Sequence, residues 1–199
     1  MSASQATGVP RRGRPPGTSL RAIELIALRL FTERGFDDTT VDDIATTAGV
    51  SRRTLFRYFD AKADILWHSF DQEVEQLRAS FAAVAPTVPL MTAIREVVVG
   101  VNRYGPDDVA ELRARINLIG SVPALQASAA VHYDAWERTV SDFAALRRDE
   151  PPDALVPLAI GRSTLAACRA AFDVWVARSD AELTVYLDEA LRSLAAGFR

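Results

Sequence analysis

The chain has 199 residues, 49% of them apolar, with only ten prolines and ten glycines; that fills a substantial core and excludes a disordered chain. A net charge of −3 and a single cysteine, Cys168, exclude an internal disulfide and a uniformly basic nucleic-acid binder. The longest strongly apolar run, around Val97 to Val101, falls far short of the roughly 20 residues of a membrane span. No apolar segment follows the polar N-terminus as in a signal peptide, so a soluble cytoplasmic protein is expected.

The charge is unevenly placed. Residues 1–62 carry a net +3 and residues 63–199 a net −6, and phosphate binding needs a local basic surface rather than a basic whole. Residues 1–17, with three prolines and three glycines, read as a flexible basic arm. Its run Arg11-Arg12-Gly13-Arg14-Pro15-Pro16-Gly17 contains the Arg-Gly-Arg-Pro core of an AT-hook, whose extended backbone lets arginine enter a narrow A·T minor groove. Arg11, Arg12 and Arg14 are the candidates for that contact; a merely solubilising tail is the alternative.

From residue 18 onward the pattern predicts an all-α chain of about nine helices. Segment 20–34 places Ile23, Ile26, Ala27, Leu30 and Phe31 on one face, with Thr18 or Ser19 as cap and Gly35 as stop. Thr40 caps a second helix, with Asp43 three residues on as an acidic capping-box partner. Gly49 ends that helix, and Ser51 caps the next, predicted over Ser51 to Phe59 with Leu55, Phe56 and Phe59 buried. A long fourth helix follows Lys62, striped by Leu66, Phe70, Val74, Leu77 and Phe81. Further helices are expected near 90–104, 108–120, 123–148, 153–178 and 180–197, bounded by proline and glycine signals. The expected domains are the arm (1–17), a helix-turn-helix DNA-binding domain (18–64) and a ligand-binding and dimerisation domain (65–199).

Residues 41–59 carry the chemistry. Two short helices about a tight turn at Gly49-Val50 make a helix-turn-helix, and the small Ala48 and Gly49 let the helices approach. The second helix is then set to enter a major groove. Ser51, Arg52, Arg53 and Thr54 occupy its first turn; an arginine there can fork onto guanine and the threonine methyl can meet thymine. Arg57 lies one turn beyond Arg53, and Tyr58 can reach sugar and phosphate. Thr40 and Lys62 flank the motif and are assigned to the DNA backbone.

These residues resemble the signature of the TetR family of regulators: Thr39-Thr40-Val41-Asp42-Asp43-Ile44-Ala45, then Ala48-Gly49-Val50-Ser51, then Thr54-Leu55-Phe56-Arg57-Tyr58-Phe59 and Lys62, preceded by Phe31, Arg34, Gly35 and Phe36. Phe56 departs from the family's frequent tyrosine, which removes a phosphate contact there. The resemblance covers residues 20–65. It implies an all-helical homodimer, a divergent ligand-binding domain, and repression of a palindromic operator relieved by a small molecule.

The C-terminal sequence states a shape more clearly than a chemistry. Helices 153–178 and 180–197 are apolar on more than one side, an excess that suits a dimer interface. Polar groups inside apolar helices are candidates for the ligand: Arg113, Arg115 and Asn117 on the sixth helix, His132 and Trp136 on the seventh, Arg162, Arg169 and Phe172 on the eighth. Each has a plainer role open to it. His132 reads equally as a core histidine, Arg169 can pair with Asp173, and Trp136 and Phe172 read as core. Cations beside an apolar core would suit an amphipathic acid or an acyl-CoA. The whole chain also resembles the mycofactocin-associated subgroup of the family, which points to a fatty acyl-CoA effector.

No glycine-rich nucleotide loop, metal-ligand cluster or nucleophile elbow is present in the sequence, so neither an enzyme, a metal nor a cofactor is expected. An effector-independent architectural DNA binder is the competing reading, and a ligand cavity would argue against it.

Overall fold

A computed structural model describes residues 19–178 and 180–197. The basic arm, with Arg11, Arg12 and Arg14, lies outside the described residues. Those described form nine α-helices and no strand: α1 (Leu20–Arg34), α2 (Val41–Ala48), α3 (Arg52–Phe56), α4 (His68–Ala82), α5 (Leu90–Val101), α6 (Pro106–Ser121), α7 (Pro123–Arg148), α8 (Leu155–Arg178) and α9 (Leu183–Ala195).

The caps lie where the sequence asks for them. Ser19 Oγ accepts from Ala22 N at 3.1 Å. Asp43 N donates to Thr40 Oγ1 at 3.1 Å while Thr40 N donates to Asp43 Oδ2 at 2.9 Å, a reciprocal capping box. The Thr40 hydroxyl also donates to Asp43 Oδ2, and this bond first, then that from Thr40 N, holds the Asp43 carboxyl below the usual carboxylate range. Gly49 closes α2 at φ 67°, a left-handed position that a side chain would strain.

Two elements differ from expectation. The third helix spans only Arg52–Phe56, and Arg57-Tyr58 continue as a turn with Tyr58 N and Phe59 N both donating to Leu55 O. The fourth is preceded by a 3₁₀ turn, Ala63–Trp67. There Ile65, Leu66 and Trp67 are consecutive and all at most 1% exposed, which a single stripe of an α-helix cannot achieve. They serve different surroundings: Ile65 and Leu66 join the core around α1–α3, while Trp67 turns to α7 and donates to Ser128 Oγ at 2.9 Å.

The buried residues form two cores. One gathers Ile23, Leu30, Phe31, Ile44, Leu55 and Phe59, and it also takes in Leu125 from the start of α7. Leu118, Ile119 and Val122 pack against it, so the α6–α7 corner is wedged into the head. The other core joins α4, α5, α7, α8 and α9 through residues such as Leu77, Ile94, Trp136, Val140, Trp175 and Leu187. By length and composition α8 is apolar enough to cross a membrane, with a mean hydropathy of 1.2. Gly161, Leu165, Cys168 and Trp175 instead bury one of its faces in the protein's own core.

Candidate DNA interface and effector cavity

In the helix-turn-helix, Leu55 and Phe59 lie four residues apart on one face and are buried. Phe56 is 43% exposed, which corrects its assignment to the buried side: it falls about 100° round the helix from Leu55. Its ring instead carries the Arg52 guanidinium, 5.4 Å from the centroid. Arg52 also reaches Asp42 on α2, Nη1 to Oδ2 at 3.3 Å, and Arg57 stacks on the Tyr58 ring at 4.5 Å. Arg53 is exposed and has no ion-pair partner among the described residues. Three arginines therefore project from one short, solvent-facing element. The hydroxyls of Thr40, Ser51 and Thr54 are engaged locally: Ser51 Oγ accepts from Thr54 N at 3.1 Å and lies 2.8 Å from Thr54 Oγ1.

Lys62 holds the head together. Its ammonium donates to Phe36 O at 2.6 Å and Thr39 O at 2.9 Å, carbonyls at the C-terminal side of α1, and sits 4.1 Å from the Phe36 centroid. Two of its three N–H donors are thus engaged inside the protein, and the third remains for another acceptor. Lys62→Met should destabilise the protein by about 2 kcal/mol, the scale of hydrogen bonds to a charged group. Urea denaturation reads it; an unchanged midpoint would mean that these two bonds contribute little to the stability of the head.

Behind the head, a cavity of about 700 Å³ opens among the 3₁₀ turn and helices α4 to α8. Leu112, Ile116, Trp136, Leu165 and Phe172 make its apolar walls, and Arg169, Asp173 and Gln126 lie on its exposed side. Trp136, Arg169 and Phe172 are thus lining residues; the Arg169 guanidinium rests 5.2 Å from the Tyr133 ring centroid. Cys168 also lines the cavity, and burial pushes its thiol up to about 12. At pH 8 it should resist iodoacetamide in the folded protein and react readily after denaturation; rapid labelling of the folded chain would contradict this placement.

The other sequence candidates lie elsewhere. Asn117 is on the exposed face of α6, where its backbone carbonyl accepts from Ser121. His132 stacks on Trp67 with centroids 4.6 Å apart and meets Asp71 Oδ1 at 2.7 Å; it braces α7 against α4 rather than facing the cavity. Arg113 covers the Trp175 ring at 3.8 Å and donates to Trp175 O and Val176 O. A cation placed there satisfies carbonyls in the last turns of α8. It floors a neighbouring hollow of about 780 Å³, separated from the main cavity by Asn102 and Tyr104.

The link between cavity and head is formed by Arg115, on the sixth helix, and by residues that the sequence reading missed. Glu24 of α1 is fully buried. It accepts from Arg21 Nη1 at 3.0 Å, from Ser69 N at 3.2 Å and from the Ser69 hydroxyl. Across the interface Arg115 of α6, which lines the cavity, reaches Glu24 at 3.0 Å and Glu111 at 2.5 Å. Glu111 in turn takes Arg21 Nη2 at 2.5 Å. Beside this network Tyr104 Oη donates to Glu73 Oε1 at 2.7 Å. Burial raises the Glu73 carboxyl above its ordinary range, against the lowering effect of that bond. The sequence signal for Glu24 was a carboxylate between Ile23 and Ala27 on the apolar stripe of α1.

A helix-turn-helix head bearing exposed arginines, fused to a hollow helical body, defines a class of DNA-binding regulator rather than an enzyme. Comparison with known proteins narrows it. Residues 26–67 match the bacterial regulatory proteins of the tetR family, and residues 88–199 match the MftR C-terminal domain. The chain is 30% identical to a Mycobacterium tuberculosis protein bearing the name mycofactocin biosynthesis transcriptional regulator MftR, over 94% of both chains. It therefore belongs to the TetR family of transcriptional regulators, with a C-terminal domain of the MftR type. Among solved structures, FadR of Thermus thermophilus in complex with lauroyl-CoA superposes with a TM-score of 0.61 at 21% identity, covering 91% of this chain and 95% of that one. FadR of Bacillus subtilis in complex with stearoyl-CoA gives 0.63 at 16%, covering 91% and 100%. At these identities the likeness is one of fold.

Proposed function

We propose that the protein is a cytoplasmic homodimeric repressor that binds a palindromic operator and is released by an amphipathic small molecule of the acyl-CoA class. The observation that carries this reading is the cavity, because a purely architectural DNA binder gains nothing from a hollow body tied by buried ion pairs to its head. The apolar walls suit an acyl chain, and Arg169 on the exposed side suits the phosphates of a coenzyme. The two FadR proteins, similar in fold, hold acyl-CoAs.

Dimerisation is supported by the outer face of α8. Ala159, Ser163, Ala166, Ala170, Val174 and Ala177 are exposed along one stripe, where small side chains let a second helix approach closely. Val185 on α9 is 54% exposed. Two heads carried by such a dimer would read half-sites about one helical turn apart. The division into arm, head and body follows the same reading, with the head ending near residue 64.

On DNA, Arg52, Arg53 and Thr54 read bases, while Ser51, Arg57, Tyr58, Thr40 and Lys62 hold the backbone and the N-terminal arm reaches the minor groove. Arg53→Ala should weaken binding to the selected operator by about 1–3 kcal/mol and relax preference at one position per half-site. Arg57→Ala should weaken all sequences alike and reduce the salt slope by about one. Fluorescence anisotropy across a panel of operator variants separates the two. Equal loss on every sequence for Arg53→Ala would remove its base-reading role.

Release follows if ligand favours a head spacing unsuited to DNA, since equal affinity for both spacings shifts nothing. The Arg115–Glu24 contact offers the route, because it joins a cavity wall on α6 to the first helix of the head.

A further inference from the structure

One pole of the cavity is polar, which a site for a bare hydrocarbon does not require. Glu73, Asn102, Tyr104 and Arg115 meet there, and Asn102 and Arg115 are only 8% and 6% exposed. Three of the four are fixed by neighbours. Asn102 Nδ2 donates to Val98 O at 2.9 Å, and Tyr104 Oη donates to Glu73. Arg115 is different. Both of its carboxylate partners are reached through the same nitrogen, Nη2, and its Nε is buried with no hydrogen-bond partner. A guanidinium offers five N–H donors, and with the ion pairs confined to Nη2 the group keeps donors for a cavity ligand that brings an acceptor.

The charge around this pole selects the kind of acceptor. The positive Arg21 and Arg115 are already balanced by Glu24 and Glu111, and the Glu73 carboxyl lies on the same cavity wall. A ligand carboxylate would add an uncompensated negative charge in a desolvated place. A carbonyl oxygen would accept from Arg115 without that charge.

We infer that this pole is a subsite for the neutral carbonyl oxygen of an otherwise apolar ligand, an amide, ester or thioester, and that Arg115 supplies the donor. The inference rests on the reading of this cavity as the effector site, and it adds a chemical selection: the acyl derivative is accepted and the corresponding free acid refused.

Decanamide and decanoate, titrated calorimetrically into the full chain at pH 7.5, test it. Decanamide should bind at least tenfold more tightly. The preference should shrink severalfold in Arg115→Lys, whose ammonium can still meet Glu24 and Glu111 but has no Nε. Should that variant fail to fold, the wild-type chain carries the test alone: the ¹³C-labelled carbonyl stretch of bound decanamide should lie below its value in hexane. Equal or tighter binding of decanoate, a preference undiminished in Arg115→Lys, an unshifted stretch, or no binding of either probe would each overturn the subsite. Release of operator DNA by lauroyl-CoA, measured in parallel on the wild-type chain, tests the effector reading separately, so that the subsite can fail while that reading stands.

Discussion

Glu24→Ala should lower the melting temperature by roughly 10 °C or more, the counterpart of about 3–5 kcal/mol for breaking a buried ion pair from one side. The side chain is fully buried and collects bonds from Arg21, Ser69 and Arg115. Removing it leaves Arg115, itself buried, with Glu111 alone, and leaves Arg21 as the polar tie from α1 to Ser69 of α4 and Glu111 of α6. Glu24→Gln keeps the shape and two potential acceptor bonds while deleting the charge, so it should fall between wild type and alanine. Thermal denaturation followed by circular dichroism measures all three. A Glu24→Ala protein that melts within roughly 2 °C of wild type would mean that the junction network contributes little to stability.

The second large effect is expected at Gly161, where α8 crosses α7. A Cβ there would lie 2.2 Å from Ser141 Oγ and 2.6 Å from the Glu137 carbonyl oxygen, closer than packed atoms tolerate. The serine can rotate away, but the carbonyl belongs to the backbone of α7. Gly161→Val must therefore push the two helices apart, at a cost at or above the usual 1–3 kcal/mol, roughly, of overpacking. Gly161→Ala should be milder. Adding Ser141→Ala should rescue only part of its loss, because the carbonyl contact remains. Full rescue would show that the serine alone sets the spacing.

Much of the fold is legible because helices announce themselves locally. The stripe Ile23, Ala27, Leu30, Phe31, the Thr40–Asp43 box and the glycine at 49 fixed α1 and α2 from neighbours a few residues apart. The TetR signature is of the same local kind, compact enough to be read before any contact was visible. What could not be read is partnership across distance. Periodicity says that a residue is buried, not what meets it, so the bonds from the Lys62 ammonium to Phe36 O and Thr39 O had no signal in the sequence. Arg113 and His132 had the same outcome: each is a polar group on an apolar helix, and each is consumed by Trp175 or by Trp67 and Asp71. Arg115, two residues from Arg113 on the same helix, looked no different in sequence. Only the fold turns it toward Glu24, on the first helix of the chain.

The short third helix has a similar origin. A Ser51 cap and an amphipathic pattern permit a helix through Phe59. The chain must instead turn after Phe56 so that Phe59 enters the head core and Lys62 reaches back to the loop between α1 and α2.

The central claim is that occupancy of the cavity governs the hold of the head on DNA. Its most direct test is anisotropy of a labelled operator, selected by the protein from genomic fragments, titrated with and without saturating lauroyl-CoA. The expected result is a palindromic operator bound by two chains and an affinity at least about tenfold weaker with the acyl-CoA, within the usual range of coupling between two sites. Lauroyl-CoA bound to the protein with operator affinity unchanged would contradict it.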